Sequence, residues 1–499
     1  MHRGLEQAAE LYGDRVAIRF EDTDWTWRRL DASSNAFARY LQAAVGPGDR
    51  VAVMSGNRPE FVVLVNAISK LGAATVLVSP AWKQREVDHA LAITGATYAV
   101  ADEACYPLLA APLGKERVTN LDDKVALDDI LAGDSSPLGL EPPGADDEGV
   151  LVFSSGTTGL PKAVRHTHGS MGHGIAHWVA SLGLTSDDRF QIATPPSHIL
   201  GLLNFLTAAA AGTTVRLHRR FDLDELLRRI QDERMTLEMA VAPIALAMAD
   251  HPSIEDYDLS SLRYIMWGAT PVTPSVAERV TARTGVRWMP AYGASELPVI
   301  TCNPIDRPDE WRLDSAGLPA PGVQVRVVDL ETRDVLPAGG IGEIQVLSPS
   351  VMTGYLPEED IAAAFHDGWY RTGDVGFVEA EGWVHLTDRA KEMIKVKGFQ
   401  VAPAEIEAVL HGHESVRDCA VFGVPDRAAG ELPVAAVLID PDRPVSPDAL
   451  RALVGDTLAT YKQLRDIVVV DDIPRLPSGK VLRRVLQQDW IDQHPDSAG

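Results

Sequence analysis

The stretch Val150-Leu151-Val152-Phe153-Ser154-Ser155-Gly156-Thr157-Thr158-Gly159-Leu160-Pro161-Lys162 decides how this chain is read. Four apolar residues empty into nine that hold four hydroxyls, two glycines and one lysine. A buried strand that ends in such a loop is suited to hold an anion. Glycines let backbone N–H groups approach phosphate oxygens, Ser and Thr hydroxyls donate further bonds, and lysine supplies charge. The spacing is not that of a Walker A loop. The alternation Ala163-Val164-Arg165-His166-Thr167-His168 predicts a second strand after the loop, so no helix dipole faces the anion. Ser154, Ser155, Gly156, Thr157, Thr158, Gly159 and Lys162 are the candidate phosphate contacts. The plain alternative is a Ser/Gly hairpin tip.

The rest of the chain bounds the answer. Its 499 residues exceed one core and imply several domains. A hydrophobic fraction of 45% with 23% charged residues is ordinary for a globular protein. The net charge of −24 argues against nucleic acid or an anionic membrane, and requires local basic pockets for any anionic substrate. Three distant cysteines, Cys105, Cys302 and Cys419, fit a reducing cytoplasm without a disulfide or zinc site. No apolar run approaches the roughly 18 residues of a membrane span, and Met1-His2-Arg3-Gly4 opens no signal peptide. A cytoplasmic protein is expected, and the sequence is compatible with a homodimer.

Helix and strand patterns alternate over residues 35–79, which predicts a parallel sheet covered by helices. A Pro/Gly/Asp-rich stretch, 137–149, separates this unit from the phosphate-loop strand. Between about 315 and 385 short strands and Gly/Pro turns, as in Val323–Val328, suggest a small barrel or antiparallel module. A helix over Ala404–His411 opens a compact C-terminal α/β module, and the best boundary falls at 388–391.

Five further motifs follow in order: Tyr292-Gly293-Ala294-Ser295-Glu296, Tyr370-Arg371-Thr372-Gly373-Asp374, Asp388-Arg389-Ala390-Lys391, the run from Lys395 to Glu407, and Pro477-Ser478-Gly479-Lys480. With the phosphate loop they make the chain resemble the adenylate-forming superfamily of acyl- and aryl-CoA synthetases, coumarate–CoA ligases, luciferases and adenylation domains. The resemblance runs from about residue 10 to 488. It implies an α/β fold: a large N-terminal domain, 1–388, of two α/β subdomains plus a small β-barrel, and a small mobile C-terminal α+β domain, 389–499. It also implies ATP, Mg²⁺ and coenzyme A, and two steps. The acid displaces pyrophosphate to give an acyl-adenylate, and a thiol then displaces AMP.

By the same resemblance Lys480 bridges carboxylate and adenylate oxygens. Asp374 accepts the ribose hydroxyls with Arg389 beside it, and Glu296 and Thr158 contact Mg²⁺, a hard cation that takes few protein oxygens. Gly268, Ala269, Thr270 and Tyr292 would pack the adenine, with Gly293, Ala294, Ser295 and Gln400 completing the ATP site. Ser295 stands where threonine is usual, and Ala163 where glycine is. Lys391 matches the hinge, and Lys397, Gly398 and Phe399 would flank the pantetheine after rotation.

For the acid, Pro195–Leu202 holds no carboxylate to pair an ammonium, which disfavours amino acids because an unpaired buried charge is costly. His198 fits an aromatic gate, and Val241, Pro243, Trp267, Ala291, Ala294, Leu297 and Pro298 are candidate walls. Trp267 stands where small residues are usual and would shorten the pocket. An acid–CoA ligase is the first expectation; an enzyme loading a carrier-protein thiol is the alternative, and a non-catalytic nucleotide binder is disfavoured.

Overall fold

The computed structural model describes residues 1–494, apart from 155–159, 271, 359–360, 390–391, 398, 428 and 477–478. The phosphate-loop strand lies inside a seven-stranded sheet in the order Gly354–Leu356, Lys162–Thr167, Glu148–Ser154, Ala74–Leu77, Arg50–Met54, Tyr98–Ala101, Val118–Asn120. From Glu148–Ser154 onward the pairings are parallel. Period-two alternation sends successive side chains to opposite faces. Val51, Val53, Val150 and Val152 therefore enter one core, while Ala52, Met54 and Leu151 enter another. With both faces covered, these strands can be apolar throughout. The expected second strand is Lys162–Thr167, which runs antiparallel beside Glu148–Ser154, and the following helix begins only at His168.

The second subdomain combines two sheets. One holds Thr23–Thr26, Val16–Phe20, Thr214–Leu217 and Arg189–Ile192, so an N-terminal hairpin completes a sheet made nearly 200 residues later in the chain. The other runs Leu237–Ala240, Tyr264–Trp267, Trp288–Ala294, Leu297–Cys302, Leu318–Pro319. A separate core of Leu226, Ile230, Trp267, Val276 and Trp288 packs against it.

The module expected as a barrel is a five-stranded antiparallel sheet of Gln324–Val328, Gly342–Leu347, Trp369–Val378, Phe365–His366 and Val384–Arg389. Its pairing does not close among the described residues, and Gly354–Leu356 leaves it to edge the seven-stranded sheet. The C-terminal module is a further mixed sheet. Helices Pro403–His411 and Pro447–Thr457 contribute to one core, and Arg483–Gln493 to another. Cys105, Cys302 and Cys419 are buried and free. No helix among the described residues is long and apolar enough to cross a membrane.

Candidate active site

A cleft of about 870 Å³ opens where the two N-terminal subdomains and the C-terminal module meet. One wall is the end of strand Trp288–Ala294 and the two-residue turn Ser295-Glu296 that joins it to Leu297–Cys302. Ala291, Tyr292, Gly293, Ala294, Ser295 and Glu296 all face the cleft. Glycine is required at position 293 by close approach: a Cβ there would overlap the Pro298 carbonyl oxygen.

Behind this wall, hydrogen bonds fix the polar groups. The Tyr292 hydroxyl donates to Asp374 Oδ2, and Arg389 Nε lies 3.0 Å from Asp374 Oδ1. Asp374 and Arg389 are opposed in the antiparallel pair of strands Trp369–Val378 and Val384–Arg389, which sets their distance by register. Gly373, at φ +70°, and the Thr372 hydroxyl, which accepts the Asp374 N–H at 3.0 Å, hold the carboxylate in place. Burial and then the Asp374 charge push the Tyr292 phenol well above its ordinary range. The adjacent Asp374 charge holds the Arg389 guanidinium firmly protonated.

Glu296 Oε1 accepts from the Tyr355 hydroxyl at 3.0 Å, and the Lys162 ammonium sits 5.5 Å from the Tyr355 ring centre. The Ser295 carbonyl accepts from His166 Nε2 at 2.8 Å. Burial lowers the His166 pKa to about 4, so its ring is neutral, with Nε2 carrying the proton and Nδ1 facing the Ser170 hydroxyl at 3.2 Å.

The opposite wall is apolar. His198 caps helix Ile199–Ala211, its Nδ1 accepting the Leu200 N–H at 3.3 Å, and burial lowers its pKa. Ile199, Leu200, Leu203, Trp178 and Met266 continue this surface. The Trp178 N–H is taken by Asn204 Oδ1 at 2.9 Å. A third stretch holds Gly56, Asn57, Trp82, Arg219, Arg220 and Phe221. Lys480 and Arg389 also line the cleft. Gly479 packs so closely that a Cβ would lie 2.9 Å from Pro243 Cδ. Four cations thus converge in a chain of net charge −24: Arg219, Arg220, Arg389 and Lys480.

Of the expected site residues, Ser154, His198, Gly268, Ala269, Ala291, Tyr292, Gly293, Ala294, Ser295, Glu296, Arg389 and Lys480 line the cleft. Asp374 and Lys162 stand just behind it through Tyr292, Arg389 and Tyr355. Ser155, Gly156, Thr157, Thr158, Gly159, Lys391 and Gly398 lie outside the described residues.

Others are placed elsewhere. Trp267 is no pocket wall: its side chain is wholly buried against Trp288, 5.1 Å between ring centres, because strand alternation turns it away while Met266 faces the cleft. Its indole N–H donates to the Thr270 hydroxyl at 3.2 Å, which also accepts the Ala242 N–H, so Thr270 buttresses the strand end and does not line the cleft. Leu297 is core and Pro243 is not among the cleft-lining residues, whereas the candidate Pro298 lines the cleft. Val241 precedes helix Ala242–Asp250 off the cleft. Lys397, Phe399 and Gln400 are exposed on the C-terminal module away from the cleft, with Phe399 stacked on Tyr461 at 4.5 Å. Tyr355, His166, Arg219 and Arg220 were not foreseen.

Among the described residues no group of three or more His, Cys, Asp or Glu could cage a metal ion. Of the two carboxylates that line the cleft among the described residues, Glu86 and Glu296, the latter suits a magnesium ion that takes its other ligands from phosphate and water.

Residues 5–356 match the family model of AMP-binding enzymes, and 405–480 that of the AMP-binding enzyme C-terminal domain. The chain is 34% identical over 517 residues to the 4-coumarate--CoA ligase-like 9 of Oryza sativa subsp. japonica, covering 98% of this chain and 92% of that one. It is 34% identical over 481 residues to a feruloyl-CoA synthase of Amycolatopsis sp, covering 95% and 96%. ATP-bound MatB from Rhodopseudomonas palustris superposes with a TM-score of 0.91 at 27% identity, over 99% of each chain. The chain belongs to the adenylate-forming family of AMP-binding enzymes.

Proposed function

We propose that this protein is an ATP-dependent carboxylic acid–CoA ligase that works through an acyl-adenylate. The observation that carries the reading is the convergence of Lys480, Arg389 and Glu296 on one cleft whose far wall is apolar, with Asp374 held just behind it against Arg389 and Tyr292. In the first step the acid's carboxylate attacks the α-phosphorus in line and pyrophosphate leaves. Asp374 would accept the ribose hydroxyls on the lone pairs that Tyr292 and Arg389 leave available. Lys480 would neutralise charge between the carboxylate and the phosphate, and Glu296 would hold Mg²⁺, which when bound supplies charge neutralisation for the leaving pyrophosphate.

The acid's body would lie along Ile199, Leu200, Leu203, Trp178 and Met266 with His198 as the gate. That wall presents no carboxylate for an ammonium, which suits an aromatic or other apolar acid, in keeping with the coumarate and feruloyl relatives. Arg219 and Arg220, exposed on the cleft lining, suit the phosphates of coenzyme A, with the thiol arm passing Gly56 and Asn57.

The two lobes would be residues 1–388 and 389–499, hinged near Lys391. Lys480 in the cleft and Lys397 with Phe399 outside it suit the adenylate-forming step, with rotation required before the thiol step. Lys480→Ala tests this reading. Removing one preorganised charge from the transition state costs about 3–4 kcal/mol, or roughly 10²–10³ in adenylate formation. Thioester formation from a supplied acyl-adenylate should survive. Adenylate formation within about threefold of the parent would remove Lys480 from the chemistry.

A further inference from the structure

Lys480 has a long, four-carbon stem and reaches the cleft from a short loop, so something must aim its ammonium. The backbone of that loop is clamped by Arg475. Its guanidinium donates to the Gly479 carbonyl at 2.9 Å and to both oxygens of Asp418 at 2.8 Å. Leu476 N–H donates to the Lys480 carbonyl at 2.8 Å, which closes the loop on itself. This fixes where the side chain starts, not where it ends.

The end of the side chain meets a carboxylate. Glu392 Oε1 lies 3.7 Å from Lys480 Nζ, and Glu392 Oε2 accepts from Arg483 Nη1 at 2.6 Å. Arg483 is itself pinned, donating to Glu407 Oε1 at 2.7 Å and to the Val421 carbonyl at 2.9 Å. Glu407 Oε1 in turn accepts the Val421 N–H at 2.8 Å. A line of alternating charge therefore runs from the backbone of strand Val416–Asp426 through Glu407, Arg483 and Glu392 to Lys480. All three inner side chains are less than a fifth exposed, so the pairs are poorly screened and their geometry is held. The Glu392 N–H also bonds the Arg389 carbonyl at 2.9 Å, so the residue that meets Lys480 is tied to Arg389 as well.

We propose that Glu392 is a positioning residue for Lys480: its carboxylate, oriented by Arg483, aims the ammonium into the cleft for the step that expels pyrophosphate. Glu392 touches neither substrate nor reacting atoms. It lies on the same module as Lys480, so the pair travels together and the ammonium stays partnered when the module leaves the cleft. The inference rests on the role given to Lys480 above. It adds that the charge network, and not the loop alone, delivers that role.

The test is a double-mutant cycle. Glu392→Ala and Glu392→Gln are made in the parent and in Lys480→Ala, and each protein is assayed for acid-dependent pyrophosphate exchange, thioester formation from supplied acyl-adenylate, and melting temperature. Misplacing a reacting group by an ångström costs on the order of 10²-fold, so Glu392→Ala should slow exchange by roughly 10- to 100-fold. Glu392→Gln, which keeps an oxygen for Arg483 but no charge, should fall between. In the Lys480→Ala background the same changes should have no further effect, and the thioester step should stay within about threefold of its starting rate. An additive loss in that background, an equal loss in both half-reactions with a lowered melting temperature, or an unaltered exchange rate in Glu392→Ala each overturns the proposal. Parent-like exchange by Lys480→Ala itself would instead overturn the assignment of Lys480.

Discussion

Asp374→Ala separates a ribose acceptor from a structural carboxylate. In the folded protein Asp374 is nearly buried and accepts the Tyr292 hydroxyl and Arg389 Nε. Removing it takes from the Tyr292 hydroxyl its charged acceptor, at a cost of about 1–3 kcal/mol. Arg389 is 41% exposed and can rehydrate, so its lost ion pair adds about 1 kcal/mol at most. Two ribose hydroxyls donating to a carboxylate are worth about 1.5–3 kcal/mol each, so nucleotide affinity should fall by roughly 10²-fold or more. Calorimetric titration with ATP and with 2′,3′-dideoxy-ATP divides the two effects. The parent should prefer ATP strongly, and Asp374→Ala should bind the two nucleotides alike. Asp374→Asn keeps an acceptor for Tyr292, so it should melt close to the parent while still losing about tenfold in ATP affinity. A preference for ATP retained by folded Asp374→Ala would refute the ribose role.

Three other outcomes are expected. Gly293→Ala should cost about 1–3 kcal/mol by driving a methyl into the Pro298 carbonyl, and should weaken ATP binding as the Tyr292–Glu296 wall shifts; chemical denaturation and calorimetry check both, and unaltered values would contradict the close approach. His166 is held neutral with its pKa lowered from 6.5 to about 4, so it takes up a proton on unfolding between those values. Stability should therefore fall with acid from pH 6.5 to 4, by about 1.4 kcal/mol per pH unit at most from this group, and His166→Gln should flatten that slope in denaturation curves across the window. Met266→Ala should enlarge the acid pocket and relax the KM for bulkier acids, whereas Trp267→Phe should lower the melting temperature with the ranking of acids unaltered; a reshuffled ranking in Trp267→Phe would return the indole to the pocket.

What could be read from sequence was what local spacing encodes. The strand before Ser154, the strand after Lys162 and the turn-borne Ser295-Glu296 pair each carry their own pattern, and the fold brings their described parts to one cleft. Residues delivered by distant pairing carried no such signal. Tyr355 reaches Glu296 only because Gly354–Leu356 joins the seven-stranded sheet at Lys162–Thr167. His166 looks like any strand histidine until the Ser295 carbonyl is placed on it. Trp267, expected on the wall from its position in the family pattern, turns away while its neighbours Met266 and Gly268 line the cleft; period-two alternation over Tyr264–Trp267 carries that distinction. Gln400 is exposed on strand Phe399–Val401 and does not line the cleft, a placement set by the packing of the C-terminal module that no local pattern encodes.

The central claim is two-step activation of an apolar acid followed by transfer to coenzyme A. The most direct measurement is product analysis by chromatography and mass spectrometry, with ATP, Mg²⁺ and a panel of aromatic and aliphatic acids, with and without coenzyme A. The expected result is acyl-adenylate and pyrophosphate without coenzyme A, and acyl-CoA with stoichiometric AMP when it is added. ADP and phosphate as products, or adenylates that coenzyme A never consumes, would contradict it.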